Sequence, residues 1–517
     1  MSALGKNLAS VRYQQNGTPT GTLLTNSANV SAREWLWLGT ILAVAFALRL
    51  FKLDAALWYD EIDTLVHYAR LPTVELLTTY PSLNHHVLFT LEAKAAITLF
   101  GESAWALRFP AFVFGVASIW GLWLVASQVV SSWETRLSAL LIAVSYHHVW
   151  FSQNARGYTG LLFFGLLATY LLVRGSRFPS WKVWTAYGVA SALAIYTHLT
   201  AVLFVASHFI VYLGLAGHDR FVAKRAGGRR PELLLPLYGF ALAGLLALLL
   251  YAPLIPQMID TFTQVTAPPP PRIAASIAEW KSPLWMVSEI ARSLGPVLGL
   301  AFPIVLIVVF AGMASLRKTA PILPAIFVVH VALTLAILVV GNMRVWPRHF
   351  FIDIGFICIF LVHGTFVLSR VIADFLGRRF TKSVDARTFA IAGTALGICA
   401  SLVLLPRNYL YPKQDFLGAR DFVETNRAAA SAVATLGLAA MPFEDYYAPH
   451  WQQVDSLEEI QSLRQSHGQV WLVYAFPGVT ERRYKDIVEY LSVKFEKVER
   501  FQGTLGGGDV LVFRSRP

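Results

Sequence analysis

The sequence has little cysteine, little acid and, for its length, little charge of any kind. Only two of its 517 residues are cysteine, Cys358 and Cys399, both inside apolar runs. Two cysteines so placed support neither a disulfide framework nor a cysteine-based metal site. Charged residues make up 14% of the chain, against about 25% in soluble domains. Acidic residues number 31 against 43 lysines and arginines. That basic excess does not point to nucleic acid, because it is gathered in short loops between apolar runs, as the positive-inside rule expects of cytoplasmic loops. What the chain has in abundance is apolar surface: 56% of its residues are hydrophobic and its mean hydropathy is +0.53. Apolar stretches recur that are long enough to cross a hydrocarbon core of about 30 Å. The composition specifies a polytopic α-helical membrane protein.

Spans are expected at 35–53, 106–128, 135–151, 158–174, 183–197, 199–216, 233–254, 293–315, 320–341, 350–370 and 388–405. Residues 1–34 are polar and read as a disordered cytoplasmic tail. They are not read as a signal peptide, since the first apolar run starts near Trp35 and no small-residue cleavage site follows it. The most basic loops are "RGSRFPSWK" (174–182), "HDRFVAKRAGGRR" (218–230), "RK" (317–318) and residues 370–387. Setting all four in the cytoplasm gives about 11 spans with the N-terminus inside and the C-terminus outside. The segment 85–100 is short and carries Glu92 and Lys94, so it is read as an amphipathic helix at the interface.

This topology collects one set of segments on the outer face. The set includes the first loop (54–105), "SQNARGY" (152–158), the break "YTHLT" (196–200), a long loop (256–292) and "NMRVWPRH" (342–349). The "APPPPR" run (267–272) cannot be helical through its prolines. Residues 273–285 are expected to form a short amphipathic helix or lid. The tail, 406–517, is richer in charge and mixes strand and helix patterns. Strands are expected at 431–439, 469–476, 495–502 and 509–515, and helices at 456–465 and 480–491, making a small extracytoplasmic α/β domain.

Polar groups on the outer face suggest chemistry on an anionic lipid substrate. Asp60 and Glu61 supply carboxylates, one of which can take a proton from an attacking hydroxyl. Arg156, Arg344 and Arg348 can neutralise a departing phosphate. Asn84, His85, His86, Tyr158, His198 and His349 lie in the same segments and complete the candidate substrate-binding set. Simpler readings stand beside this one. Asp60 and Glu61 also suit a helix N-terminus. Arg156 and Arg348 also suit headgroup anchors. His85, His86, His147 and His148 are also ordinary boundary residues. Asp63 and His67 share a helix face and read as structural. The aromatic rings of "EDYYAPHW" (444–451) suit either sugar stacking or packing.

The order of these segments resembles the GT-C fold glycosyltransferases of the protein-O-mannosyltransferase and aminoarabinose-transferase superfamily. More narrowly, it is similar to the bacterial dolichyl-phosphate-mannose–protein-mannosyltransferase-like branch. The resemblance covers about 35–405 and rests on the Asp60–Glu61 pair, "NHHVLF" (84–89), "GESAWALRFP" (101–110), "SQNARGY" and "RHF" (348–350). It implies transfer of a sugar from a polyprenyl-phosphate donor, on the outer side of an inner (plasma) membrane, with inversion at the anomeric carbon. The acceptor would be a glycan, a lipid or a protein. It implies that Asp60 is the catalytic base, with Glu61 beside it, and that Arg348 binds phosphate. The chain also departs from the pattern. Asn84, His85 and His86 stand where some relatives have an acid and Lys-Pro, so no cofactor is assigned and a divalent metal stays open. The Arg156–Tyr158 segment lacks an Asp found in some relatives. His198 replaces a frequent Lys, and a phosphate held by a titrating His predicts a donor KM that rises above pH about 7. Two other classes stay open: a polyprenyl-lipid or sugar transporter, against which the chain shows no repeat of spans, and a non-catalytic scaffold with an outer binding domain.

Overall fold

The computed structural model describes residues 31–226, 233–267, 274, 278–293, 300–380 and 385–517. The tail 1–30, most of "APPPPR", much of 273–277, residues 294–299 of the expected eighth span and residues 227–230 and 381–384 of two basic loops lie outside the described residues.

The first helix, α1, runs Ala32–Leu50. It begins inside the stretch read as disordered tail, because the Ser31 hydroxyl accepts from the Glu34 amide and caps it. Next come α2 (Tyr59–Thr64), α3 (Thr73–Thr78), α4 (Val87–Phe100), α5 (Ala104–Ala126), α6 (Ser132–Ala143) and α7 (Tyr146–Ser152). They are followed by α8 (Tyr158–Arg177), α9 (Trp181–Thr197), α10 (Ala201–Ala226), α11 (Leu234–Tyr251) and α12 (Ile255–Thr266). Helices Pro283–Ser293, Phe302–Thr319, Ile322–Val340, Ile354–Phe380 and Ala386–Leu410 complete the helical body. Among the described residues, eight helices are long and apolar enough to cross a membrane. Of the other expected spans, 35–53 corresponds to α1, 183–197 to α9 and 135–151 to α6 and α7.

Further expectations for the helical body are corrected. The segment 135–151 is not one helix: it breaks at Val144 and restarts when the Ser145 hydroxyl caps α7 by accepting from the His148 amide. The basic stretches 218–226 and 370–380 are the ends of helices, not loops. Residues 278–281 form a 3-10 turn, and the amphipathic helix follows it at Pro283–Ser293. The final long helix continues through Pro406 to Leu410, so the C-terminal domain starts later than 406. The short helix expected at 85–100 is present as α4, packed along α5.

Within the body, α8 packs on α5 and α9, and α9 packs on α11. Helices Phe302–Thr319 and Ile354–Phe380 touch at Gly312 and Gly364. A Cβ on Gly312 would lie 2.9 Å from the Gly364 amide nitrogen, and one on Gly364 would lie 3.0 Å from that of Gly312. Small residues at such a crossing let the backbones meet, which is the main source of helix attraction where lipid is as apolar as leucine.

The C-terminal domain is a five-stranded sheet of β1 (Ala432–Leu436), β2 (Gln452–Val454), β3 (Val470–Ala475), β4 (Phe495–Phe501) and β5 (Val510–Ser515), in the order β2-β1-β3-β5-β4. Strands β2, β1 and β3 are parallel, and β5 pairs antiparallel with both β3 and β4. Every residue of β3 is buried, which is why "VWLVYA" reads as a continuous apolar run. Trp471 and Val473 face the core formed with helix Phe416–Asn426, while Leu472 and Tyr474 face helices Leu457–Ser466 and Lys485–Lys494. The single helix expected at 480–491 is two, Pro477–Arg483 and Lys485–Lys494, divided at Tyr484.

The glycine crossing carries a prediction. Gly364→Ala should force the two helices apart at a cost of about 1–3 kcal/mol, read as a lower unfolding midpoint of the purified protein in detergent. An unchanged midpoint would show that the crossing parts freely.

Candidate active site

The site forms where α2, the turn before α4, the turn before α8 and the 3-10 turn Pro347–Asp353 converge. Helix α2 opens on Tyr59, Asp60 and Glu61. The adjacent carboxylates point into different environments.

Glu61 is fully buried. It accepts from Arg108 Nε at 2.7 Å and Nη2 at 2.6 Å, from the Ala155 amide at 2.8 Å and from the Trp58 amide at 3.4 Å. Lys413 Nζ lies 3.9 Å away. Burial alone would raise the Glu61 pKa. The Arg108 and Lys413 charges and the hydrogen bonds outweigh it and hold the carboxyl below its ordinary value. Arg108 also donates to the carbonyls of Leu53 and Ala55 at 2.8 and 2.7 Å and to that of Ala56 at 3.1 Å. One guanidinium therefore ties the loop 53–56, α2 and α5 together. Glu61 fastens the loop and does not face open space.

Asp60 faces the other way. Its Oδ2 accepts from Arg348 Nη1 at 3.0 Å, and both side chains are partly open, at 12% and 29% exposure. Arg348 lies over the Trp346 ring at 5.1 Å, and Arg344 over the Trp280 ring at 5.3 Å. Arg348 sits on a turn pinned by Phe351, whose ring is 4.2 Å from that of Phe151. Asp353 at the end of the same turn pairs with His330 at 2.9 Å.

Arg156 is the second cation. It donates to Thr64 Oγ1 at 3.3 Å and to Asn84 Oδ1 at 3.1 Å, while its Nε has no partner among the described residues. His86 Nδ1 accepts from the Gly157 amide at 2.8 Å. A neutral imidazole that accepts at Nδ1 carries its proton on Nε2. Nε2 lies 3.2 Å from Arg156 Nη2, so two donors stand side by side. Gly157 allows this approach: a Cβ there would sit 3.0 Å from His86 Nδ1. His198 and Tyr158 complete the wall, with ring centroids 4.3 and 5.3 Å from His86. His349 Nδ1 is another buried polar atom without a partner among the described residues.

The geometry therefore brings Asp60, Arg348, Arg156, Asn84, His86, Tyr158 and His198 together, with Arg344 and His349 at the flank. His85 is turned aside. Its Nδ1 donates to the Thr79 carbonyl at 3.1 Å and its ring stacks on Tyr68. The surroundings of His198 oppose a charged ring there. Burial, and then His349, Arg156 and Arg348, hold its pKa well below the ordinary imidazole range, and burial, Arg156, His198, Arg348 and His85 do the same to His86. Both are neutral at neutral pH. Among the described residues no group of three or more His, Cys, Asp or Glu could hold a metal, and His86 Nδ1 is committed to Gly157. His148, read as a boundary residue, is buried against Arg49 and Ser118. Sequence reasoning missed Arg108, Lys413 and Asn154, the last of which accepts from the Trp58 indole at 3.1 Å. Arg108 stood inside the quoted "GESAWALRFP", and that was the available signal.

Comparison with known proteins agrees with this arrangement at the level of fold. A family model described as dolichyl-phosphate-mannose-protein mannosyltransferase matches residues 85–255. No curated protein matches the chain by sequence. Among solved structures, ArnT from Cupriavidus metallidurans in the apo state is similar with a TM-score of 0.50 and 12% identity, over 94% of this chain and 99% of that one. The same protein bound to undecaprenyl phosphate gives a TM-score of 0.48 and 11% identity, over 94% and 100%. The archaeal oligosaccharyltransferase AglB from Archaeoglobus fulgidus, in complex with an inhibitory peptide and a dolichol-phosphate, gives 0.48 and 11%, over 86% and 70%. The chain has the GT-C fold of the protein-mannosyltransferase and ArnT type, with a small C-terminal sheet domain.

The two carboxylates should separate in a stability measurement. Glu61→Ala leaves the Arg108 charge buried beside a lost partner and should cost about 3–5 kcal/mol. Asp60→Asn loosens only a partly exposed pair and should cost no more than about 1 kcal/mol. Equal thermal midpoints for the two variants would contradict this division of roles.

Proposed function

We propose that the protein is a membrane glycosyltransferase that moves a sugar from a polyprenyl-phosphate donor to an acceptor hydroxyl on the extracytoplasmic face of an inner (plasma) membrane, with inversion. In this topology the C-terminal domain is extracytoplasmic and the N-terminus cytoplasmic. The observation that carries the reading is the Asp60–Arg348 contact at 3.0 Å beside two buried donors, Arg156 Nε and His86 Nε2, that find no acceptor among the described residues. One group can accept a proton, and its neighbours can receive a phosphate.

The acceptor hydroxyl hydrogen-bonds to Asp60 and attacks the anomeric carbon opposite the phosphate. The new C–O bond forms from the acceptor oxygen lone pair, the proton passes to Asp60, and the old C–O electron pair leaves with the phosphate oxygen. A carboxylate is far too weak a base to ionise an alcohol beforehand, so proton transfer accompanies attack and positioning carries much of the rate. Arg348, with Arg344 near it, stabilises the leaving polyprenyl phosphate. Arg156, whose Nε is unpartnered among the described residues, and His86 Nε2 supply further donors, and Asn84, Tyr158, His198 and His349 shape the pocket. Glu61 holds α2 in place. The match of the family model to 85–255 and the ArnT fold support the reaction class. The sugar, hexose or pentose, and the acceptor, glycan, lipid or protein, are left to experiment. No step runs through a metal.

The test offers radiolabelled polyprenyl-phosphate sugars to protein in nanodiscs. Wild type should consume one donor, Asp60→Asn should lose at least about 10²-fold in kcat, and Arg348→Ala should weaken polyprenyl-phosphate binding. Uptake of sugar into vesicles without a chemical product would replace this reading with transport. Because His86 and His198 are held neutral, the donor KM should stay flat between pH about 6 and about 8.5. A KM that climbs through pH 7 would mean that an imidazolium binds the phosphate after all.

A further inference from the structure

The mechanism leaves the C-terminal domain idle, yet three of its side chains hold the segment that carries Asp60. The Tyr447 hydroxyl donates to the Leu57 carbonyl at 2.9 Å. Gln414 Oε1 accepts from the Tyr59 amide at 3.3 Å, and Gln414 is itself fixed by donating to the Gly508 carbonyl at 2.9 Å. Lys413 Nζ reaches Glu61 at 3.9 Å, donates to the Gln153 carbonyl and lies over the Trp150 ring at 5.4 Å. These contacts fall on residues 57, 59 and 61, on both sides of Asp60. The Lys413 backbone is braced in turn by the loop between β4 and β5: its carbonyl accepts from the Leu505 amide at 3.1 Å, and that of Pro412 accepts from the Thr504 amide at 2.8 Å. Thr504 also accepts from the Trp150 indole at 3.2 Å.

Helix α2 has six residues and runs on into a single π-helical turn at Leu65–Ala69. A helix so short has no stability of its own and takes its pose from tertiary contacts. Some of those contacts come from Arg108, the Ala155 amide, Arg348 and Arg156 in the helical body; the others come from the C-terminal domain. We infer that the C-terminal domain is a positioning element for Asp60, acting through Lys413 on Glu61 and through Gln414 on the Tyr59 amide. The inference rests on the transferase reading, in which displacements of about 1 Å at the base cost large factors in rate.

Lys413 gives the contact a signature. Burial pulls its ammonium down to about 7, opposed by the attraction of Glu61 and assisted by the repulsion of Arg108. The charged groups that face it are therefore Glu61 of α2 and Arg108 of α5, while Trp150 and Gln153 on its other side are neutral. As pH rises through about 7 the lysine loses its proton, its hold on Glu61 fades, and α2 loosens.

Steady-state kinetics and hydrogen–deuterium exchange on the full chain in nanodiscs test this together. Lys413→Met should lower kcat about 10-fold with donor KM within about 2-fold, and should abolish the fall of kcat above pH about 7 that the inference expects of wild type. Lys413→Arg should keep kcat and carry it to higher pH, since guanidinium stays charged. Gln414→Leu, which alters no charge, should also lower kcat and not affinity. In Lys413→Met and Gln414→Leu alike, a peptide covering 57–63 should exchange faster at an unchanged thermal midpoint. Exchange at 57–63 equal to wild type in both variants overturns the inference, as does a raised donor KM with unchanged kcat. Failure of wild type to consume any donor would sink the transferase reading instead, and the exchange result would still decide whether this domain holds α2.

Discussion

Everything at the site hangs on the buried pair of Glu61 and Arg108. Both side chains are essentially sealed from water, at 0% and 1% exposure. An ion pair in that position is not a source of net stability by itself, since desolvating two charges costs about as much as their attraction returns. Its value lies in geometry. The guanidinium has five donors in a rigid fork, and Arg108 uses them on Glu61 and on three carbonyls of residues 53–56. The chain leaving α1 is thereby forced into one path before α2. Asp60, one residue from Glu61, inherits that path.

The neighbouring cation wall shows the opposite economy of partners. Arg108 has carboxylate and carbonyl oxygens on both ends of its fork, whereas Arg156 has two neutral acceptors and an idle Nε. Buried polar groups are normally satisfied, and among the described residues two of the exceptions, Arg156 Nε and His349 Nδ1, belong to the candidate site. A neutral His86 and a neutral His198 add polarity without adding charge. Arg156 Nε is thus a buried donor without an acceptor among the described residues, the kind of group that an anion would satisfy.

How far the sequence reveals this depends on the distance over which a pattern can act. Apolar length announces the spans, and an acid pair, an Arg-x-Tyr and an Arg-His-Phe at span ends announce Asp60, Arg156 and Arg348. The kink after α6 was hidden because Val144 and Ser145 interrupt an apolar run by a single polar residue, and only the cap made by Ser145 turns that into a break. Strand β2, three residues long, carries too little alternation to be seen. Arg108 was visible as a letter in a motif but not as the partner of Glu61, because the ion pair spans 47 positions. Lys413 meets Glu61 across more than three hundred residues, and no local rule of periodicity or capping links two such positions. His85 and His86 are adjacent and chemically identical, so sequence treats them alike; the backbone at the start of α4 sends one toward Arg156 and the other toward Tyr68.

The order of strands sets the order of assembly. Strand β5 lies between β3 and β4 and pairs with both, although it follows both in the chain. Until Val510–Ser515 has been synthesised, β3 lacks its inner neighbour, β4 has no strand to pair with, and the loop that braces Lys413 is not closed. A chain cut short just before β5 would lack both the strand that joins β3 to β4 and the closed loop whose amides reach the Pro412 and Lys413 carbonyls.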